Sequence, residues 1–76
     1  MAKIRSLKEE RRDGYSVHDE IDGVYFIFEK DGKRLLQIDT HGREGRKLGG
    51  KTSQTLQFDK DAAIELLAIV RKAFNL

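Results

Sequence analysis

The feature that most constrains the fold is a pair of apolar segments joined by a two-residue turn signal. Residues 24–28 have the sequence VYFIF, and aromatic and β-branched residues of this kind favour strands. Residues 34–40, RLLQIDT, form the second segment, and Asp31-Gly32 lies between the two. Asp-Gly favours a two-residue hairpin loop because glycine adopts a positive φ without steric cost. The sequence therefore predicts an antiparallel hairpin.

A third strand and a helix are predicted after the hairpin. Residues 53–58, SQTLQF, alternate polar and apolar side chains towards their end. Asp59 is a good N-cap for a helix over residues 60–74, whose basic Arg71 and Lys72 suit its C-terminal end. We therefore expect an α+β fold, with an antiparallel sheet of three to four strands followed by one C-terminal amphipathic helix packed on one face.

The first part of the chain has fewer signals. Residues 1–14 are basic, contain few apolar positions and are predicted to form an N-terminal arm, whereas residues 15–76 are predicted to form a single domain. Ser6 and Glu9 fit a capping box, which favours one or two helical turns over residues 6–12. Residues 15–20 are a candidate short edge strand.

Alternation along the strands assigns side chains to two faces of the sheet. The core face is predicted to hold Val24, Phe26, Phe28, Leu36, Ile38, Leu56 and Phe58. The opposite face is predicted to hold Tyr25, Ile27, Leu35, Gln37, Asp39, Thr55 and Gln57. The second set mixes aromatic, amide and hydroxyl groups, which can stack on bases and hydrogen-bond their edges. The alternative is a half-exposed sheet face with no binding role.

The helix has more apolar surface than one core face requires. Its first stripe is predicted to face the core and consists of Ala63, Leu67, Val70 and Phe74. Its second stripe consists of Ala62, Leu66, Ile69 and Ala73. A surface helix normally has one such stripe, and a chain of this size buries only about 60% of its unfolded surface. We therefore expect a homodimer through the second stripe; another protein covering it is the alternative.

The charges are unevenly distributed. Residues 13–29 hold five acidic side chains and no Lys or Arg, whereas residues 30–51 hold seven basic side chains against three acidic ones. Within the latter range, residues 41–51 contain four glycines and four Lys or Arg residues. A loop of this composition attracts polyanions, although a solvated surface of mixed charge is the alternative.

Enzyme, metal and membrane functions find little support. The chain has no cysteine, which excludes disulfides, Cys-based zinc sites and a thiol nucleophile. Residues 45–52 match the phosphate-loop pattern GxxxxGK[ST], but a strand-like sequence follows where that motif requires a helix. Two histidines, His18 and His41, are too few for a convincing metal site. No apolar run is long enough to span a membrane. We expect a nonenzymatic cytoplasmic protein without metal or cofactor.

The order of these signals resembles a known family. Residues 24–38 with their Lys-Asp-Gly turn, followed by Gly50-Lys51, Leu56, Asp59 and Leu66, resemble the single-stranded-DNA-binding transcriptional coactivators called positive cofactor four. The resemblance spans residues 24–74 and implies dimerisation through the helix and binding of single strands by the sheet. The chain differs in lacking proline and in having Thr40-His41 where that family has aromatic residues.

The predicted function is binding of single-stranded nucleic acid, DNA rather than RNA, in the regulation of transcription or DNA processing. The predicted contacts are Tyr25, Lys33, Arg34, Gln37, Arg43, Arg46, Lys47 and Lys51. The predicted dimer contacts are Ala62, Leu66, Ile69 and Ala73. The alternative function is a small protein-interaction module, such as a phage or mobile-element inhibitor of a host protein.

Overall fold

The protein is an α+β domain in which a four-stranded, mostly antiparallel sheet precedes one C-terminal helix that contacts it. The computed structural model describes residues 1–41 and 52–76. The strands are β1 (Ala2–Ile4), β2 (Gly23–Lys30), β3 (Lys33–His41) and β4 (Thr52–Phe58), and the helix is α1 (Lys60–Phe74). Their order across the sheet is β1-β4-β3-β2, with β1 parallel to β4 and the other pairs antiparallel.

The predicted hairpin is confirmed. Lys30 pairs with Lys33, so Asp31 and Gly32 form a two-residue loop. Both have positive φ, at 54° and 76°, as a type I′ turn requires. Aspartate tolerates this region better than most residues, and glycine has no Cβ to oppose it. The tight turn therefore sets the pairing of β2 with β3.

This pairing corrects the predicted faces. With Lys30 opposite Lys33, Phe26 lies opposite Gln37 and Val24 opposite Asp39. Paired residues of an antiparallel ladder project to the same face. Val24, Phe26 and Phe28 therefore share a face with Gln37 and Asp39, not with the predicted core. Conversely, Tyr25 and Ile27 share the face of Ile38, Leu36, Leu56 and Phe58.

The first 22 residues also differ from expectation. Ala2–Ile4 forms β1 and pairs with residues 56–58 of β4, so the start of the predicted arm is part of the sheet. Residues 5–22 contain no helix or strand, and the predictions of helical turns over 6–12 and of an edge strand over 15–20 are therefore wrong. A single capped turn lacks the length that stabilises a helix in water, and Tyr15 and Val17 remain exposed rather than packing on the sheet.

The helix begins and ends where the sequence predicts. The Asp59 side chain accepts a hydrogen bond from the Ala62 backbone N–H, at 3.0 Å. At the other end Asn75 adopts a left-handed conformation, with φ 56°, and its N–H bonds to the Arg71 carbonyl. Both ends thus satisfy backbone groups that a helix otherwise leaves unpaired.

The two helix stripes are each partly buried and partly exposed, which differs from the prediction of one core stripe and one dimer stripe. Ala62, assigned to the dimer stripe, is fully buried within the chain. Leu66 of the same stripe is half-buried, whereas Ile69 is 44% exposed. In the predicted core stripe, Ala63 and Val70 are half-buried, whereas Leu67 and Phe74 are 52% and 71% exposed. The core therefore lies at the junction of β4 and α1, where Phe58 and Ala62 are the buried apolar side chains of the described residues.

Candidate nucleic-acid interface

One face of the sheet carries a connected set of polar side chains beside aromatic ones, and we call it the network face. It is formed by β2, β3 and β4, and its members are Val24, Phe26, Phe28, Leu35, Gln37, Asp39, Thr55 and Gln57. The alternation of the strands places these residues together, because their cross-strand partners are all within the same set.

Three hydrogen bonds connect the polar members. Gln57 Nε2 donates to Gln37 Oε1 at 2.8 Å, and Gln37 Nε2 donates to Asp39 Oδ1 at 3.0 Å. Thr55 Oγ1 donates to the same Asp39 oxygen at 2.9 Å. Side-chain hydrogen bonds of this kind fix the orientation of amides and carboxylates. The network therefore presents its remaining donors and acceptors in defined positions.

Asp39 is the buried charged side chain of the described residues, with 7% of its surface exposed. Its two hydrogen bonds within the described chain both reach Oδ1. Burial of a carboxylate is costly unless donors compensate it, and here an amide and a hydroxyl do so. The Asp39 Oδ2 atom receives none of these bonds and is a candidate acceptor for a ligand.

Apolar side chains lie next to this network and reach solvent. Phe26, opposite Gln37, is 48% exposed, and Val24, opposite Asp39, is 42% exposed. An exposed ring beside amide groups can stack on a base while the amides bond to the base edge. Apolar alternation predicts both residues in the core, whereas counting outwards from the two-residue turn places them on this face.

The predicted contact residues of the sheet do not form one site. Gln37 is on the network face, and Lys33 shares that face by alternation, whereas Tyr25 and Arg34 are on the opposite face. Tyr25 is 69% exposed there. Arg34 Nη1 lies 3.2 Å from Glu29 Oε1 in an exposed ion pair. The sheet therefore separates the predicted stacking residue, Tyr25, from the predicted amide contact.

Four further predicted contacts lie outside the described residues: Arg43, Arg46, Lys47 and Lys51. The residues on either side of residues 42–51 are described. His41, at the end of β3, pairs with Thr52, at the start of β4, next to an irregularity in the ladder. Asp39 and Thr55 are a few residues from this pair on the same strands. The basic segment therefore begins and ends at the Asp39 end of the sheet.

The helix residues predicted to contact a second copy have neighbours in the chain itself. Leu66, Ile69 and Ala73 line a groove of about 460 Å³ whose other wall includes Leu7 and Glu9. The Leu7 N–H donates to Glu65 Oε1, and Lys72 Nζ lies 3.1 Å from Glu9 Oε1. The N-terminal segment therefore runs beside this stripe.

One carboxylate has a perturbed titration. Its hydrogen bond from the Ala62 N–H, followed by that from Lys3 Nζ at 3.2 Å, lowers the pKa of Asp59 below its ordinary value of 3.8. Both donors favour the ionised form. This shift belongs to the start of the helix and not to the network face.

Over residues 1–41 and 52–76, no cluster of three or more His, Asp or Glu residues suits a metal ion. Within the same residues, no helix is long and apolar enough to cross a membrane. No protein-family model, curated protein or solved structure matches the chain.

Proposed function

We propose that the protein binds single-stranded nucleic acid, DNA in preference to RNA, on the network face, without catalysis. The observation that supports this proposal is the chain of hydrogen bonds from Gln57 through Gln37 to Asp39 beside the exposed ring of Phe26. A role in transcription or DNA processing would follow from such binding.

The chemistry of the face suits unpaired bases. A base stacked on an aromatic ring is stabilised by about 1–3 kcal/mol, whatever its sequence. Amide and carboxylate groups then bond to base edges that are accessible only when the strand is single. Phe26 supplies the ring, and Gln37 and Asp39 supply polar atoms held in place by the network. Tyr25, on the other face, has no part in this proposal.

Backbone contacts are assigned to the basic segment. Residues 42–51 contain Arg43, Arg46, Lys47 and Lys51 against one acidic residue, and the segment joins the sheet at the Asp39 end. Cations that contact phosphates release counterions and raise affinity for any strand. Lys33 supplies a further cation at the opposite end of the network face.

The direct test is binding of a fluorescent single-stranded oligonucleotide, measured by anisotropy at about 50 and 200 mM salt. Three to four phosphate contacts predict an affinity loss of about tenfold or more between these concentrations. Unlabelled single-stranded DNA, RNA and duplex DNA of the same sequence are the competitors, and single-stranded DNA is expected to compete best. Absence of binding at the lower salt contradicts the proposal.

Two charge-reversal variants, each with three substitutions, test whether the basic segment makes the phosphate contacts. Replacing Arg46, Lys47 and Lys51 by Glu should abolish binding at 200 mM salt. The matched control replaces Lys8, Arg11 and Arg12 by Glu, because it changes the net charge equally but in the N-terminal segment. Equal losses in both variants would mean that only the overall charge matters.

A protein-interaction module is the second candidate function, and one observation favours it. The edge strand β2 exposes Tyr25 and Ile27 on one face and Val24 and Phe26 on the other. Protein-binding surfaces are rich in exposed aromatic and aliphatic groups. Failure of the oligonucleotide assay would leave this candidate as the better supported one.

A further inference from the structure

The single chain leaves more surface exposed than a folded monomer of its size. It exposes 7337 Å², whereas an 8.7 kDa monomer exposes about 4,700 Å². Residues 42–51 could add at most about 1,700 Å² even if fully exposed. At least about 900 Å² of excess surface therefore belongs to the described residues. Residues 5–22, which form no helix or strand and are exposed throughout, account for part of this excess. The remaining exposed surface leaves room for an interface, which in a standard protein complex buries about 800 Å² on each partner.

The shape agrees with this surface excess. The radius of gyration of the Cα atoms is 14.5 Å, against about 11 Å for a compact domain of 76 residues. Only Phe58 and Ala62 are buried among the apolar side chains described. A chain with so small a core needs additional packing.

The largest run of exposed apolar residues is on β2. Val24, Tyr25, Phe26 and Ile27 are 42%, 69%, 48% and 59% exposed. Among the described strands, β2 has a neighbour on one side only. Its other side has unpaired backbone donors and acceptors, and soluble proteins normally cover or interrupt such an edge because it pairs readily with other strands.

We propose that β2 pairs antiparallel with β2 of a second copy, in a register centred on Phe26. The two sheets then form one continuous eight-stranded sheet about a two-fold axis. This register places Tyr25 opposite Ile27 and Val24 opposite Phe28 of the second copy. Aromatic and β-branched residues are favourable cross-strand neighbours, so the strand complements itself.

The charges at the strand ends support the same register. Lys30 lies opposite Lys33 within the hairpin, and like charges in that position are destabilising. In the proposed register, Asp22 of the second copy lies opposite Lys30. An opposite charge there compensates the repulsion between the two lysines. The strand thus has an acidic residue before its start and a basic residue at its end, so its two ends complement each other in antiparallel self-pairing.

The first test measures the mass in solution by light scattering. We expect about twice 8.7 kDa at protein concentrations on the order of 100 μM. The unfolding temperature should also rise with protein concentration, because association stabilises only the folded chain. A folded protein with a mass of 8.7 kDa at this concentration would overturn the proposal.

A matched pair of variants locates the interface. Ile27→Lys introduces a charge on the β2 edge, and Leu67→Lys introduces the same charge on the outer side of α1, where exposure is similar at 52%. We expect Ile27→Lys to be monomeric and Leu67→Lys to remain dimeric. Dissociation by Leu67→Lys alone would place the interface on the helix and contradict the proposed edge pairing.

A charge exchange tests the register and does not depend on the apolar core. Asp22→Lys and Lys30→Asp should each raise the dimer dissociation constant about tenfold or more, because each places like charges opposite one another. The double variant Asp22→Lys/Lys30→Asp should restore the original constant. If the double variant instead loses as much dimer affinity as the two single variants combined, this register is ruled out. None of these measurements includes nucleic acid, so their outcome is separate from that of the oligonucleotide assay.

Discussion

The edge strand β2 is more apolar than the two inner strands, yet it is less buried. Five of its eight residues are apolar, against three of nine in β3 and two of seven in β4. β3 and β4 each pair with a strand on both sides, and they hold the buried Asp39 and Phe58. β2 contains the sequence VYFIF, yet four of these five residues are exposed by more than 40%. Apolar sequence alone therefore does not make a core strand. The position in the sheet decides burial, and the proposed pairing of β2 with a second copy would cover apolar residues that the single chain exposes.

The largest expected effect concerns the core residue of the inner strands. Phe58→Ala should lower the free energy of unfolding by about 3–5 kcal/mol, because Phe58 is 95% buried and its removal leaves a cavity. Ile27→Ala on the edge strand should cost only about 1 kcal/mol in dilute solution, because more than half of its surface is already exposed. Urea unfolding of both variants measures the difference. Equal losses would mean that β2 contributes to the core as much as β4 does.

The polar network of the inner strands is expected to have the next largest effect. Asp39→Ala removes the acceptor shared by Gln37 and Thr55 and should cost about 1–3 kcal/mol. Asp39→Asn keeps an oxygen acceptor and should cost less. Urea unfolding of the two variants separates the effect of removing the charge, in Asp39→Asn, from the effect of removing the whole acceptor side chain, in Asp39→Ala. A neutral Asp39→Ala would show that the network does not stabilise the sheet.

The turn that sets the edge pairing can be tested with two glycines. Gly32→Ala should cost about 1–2 kcal/mol, because φ at this position is +76° and an added Cβ disfavours it. Gly14→Ala is the matched control, since no atom lies within 4 Å of the added Cβ and φ is not positive. It should be neutral or slightly stabilising. Thermal unfolding measures both, and a neutral Gly32→Ala would contradict the turn geometry.

The smallest effect is expected at the start of the helix. The pKa of Asp59 is lowered in the folded protein, so its ionised form stabilises the fold above about pH 4, and this contribution is lost as the pH falls through the lowered pKa. Asp59→Asn keeps the cap but removes the charge, so it should flatten the dependence of the unfolding temperature on pH between about 2 and 5. If the unfolding temperature of Asp59→Asn depends on pH as strongly as that of the original protein, a group other than Asp59 is responsible for the acid dependence.

Local signals determined what could be predicted from the sequence. The turn, the Asp59 cap and the helix bounds depend on neighbouring residues, and the structure confirms them. The pairing of β1 with β4 joins residues more than fifty positions apart. β1 has only three residues and one large apolar side chain, Ile4, so its sequence does not predict this pairing. Such long-range pairing depends on packing rather than on local preference.

The candidate site was only partly predictable for a related reason. The faces of β2 followed from the two-residue turn, but apolar alternation suggested the opposite assignment because both faces of this strand are apolar. Similarly, the helix has apolar residues on most of its circumference, so the sequence did not determine which stripe is turned inwards. Gln37 was assigned to the binding face from alternation within β3, and it lies on the network face. Phe26 was not predicted as a binding residue, because the alternation of residues 24–28 is equally consistent with a place in the core.

The most direct test of the proposed function compares the two faces of β2. Phe26→Ala and Tyr25→Ala each remove one exposed aromatic ring from neighbouring positions of the same strand. Their affinities for a fluorescent single-stranded oligonucleotide are measured at one salt concentration, with the dimer content of each variant matched. We predict that Phe26→Ala weakens binding about 5- to 150-fold, which corresponds to the loss of one stacked base, and that Tyr25→Ala binds like the original protein. The opposite result, with loss only in Tyr25→Ala, would contradict the assignment of binding to the network face.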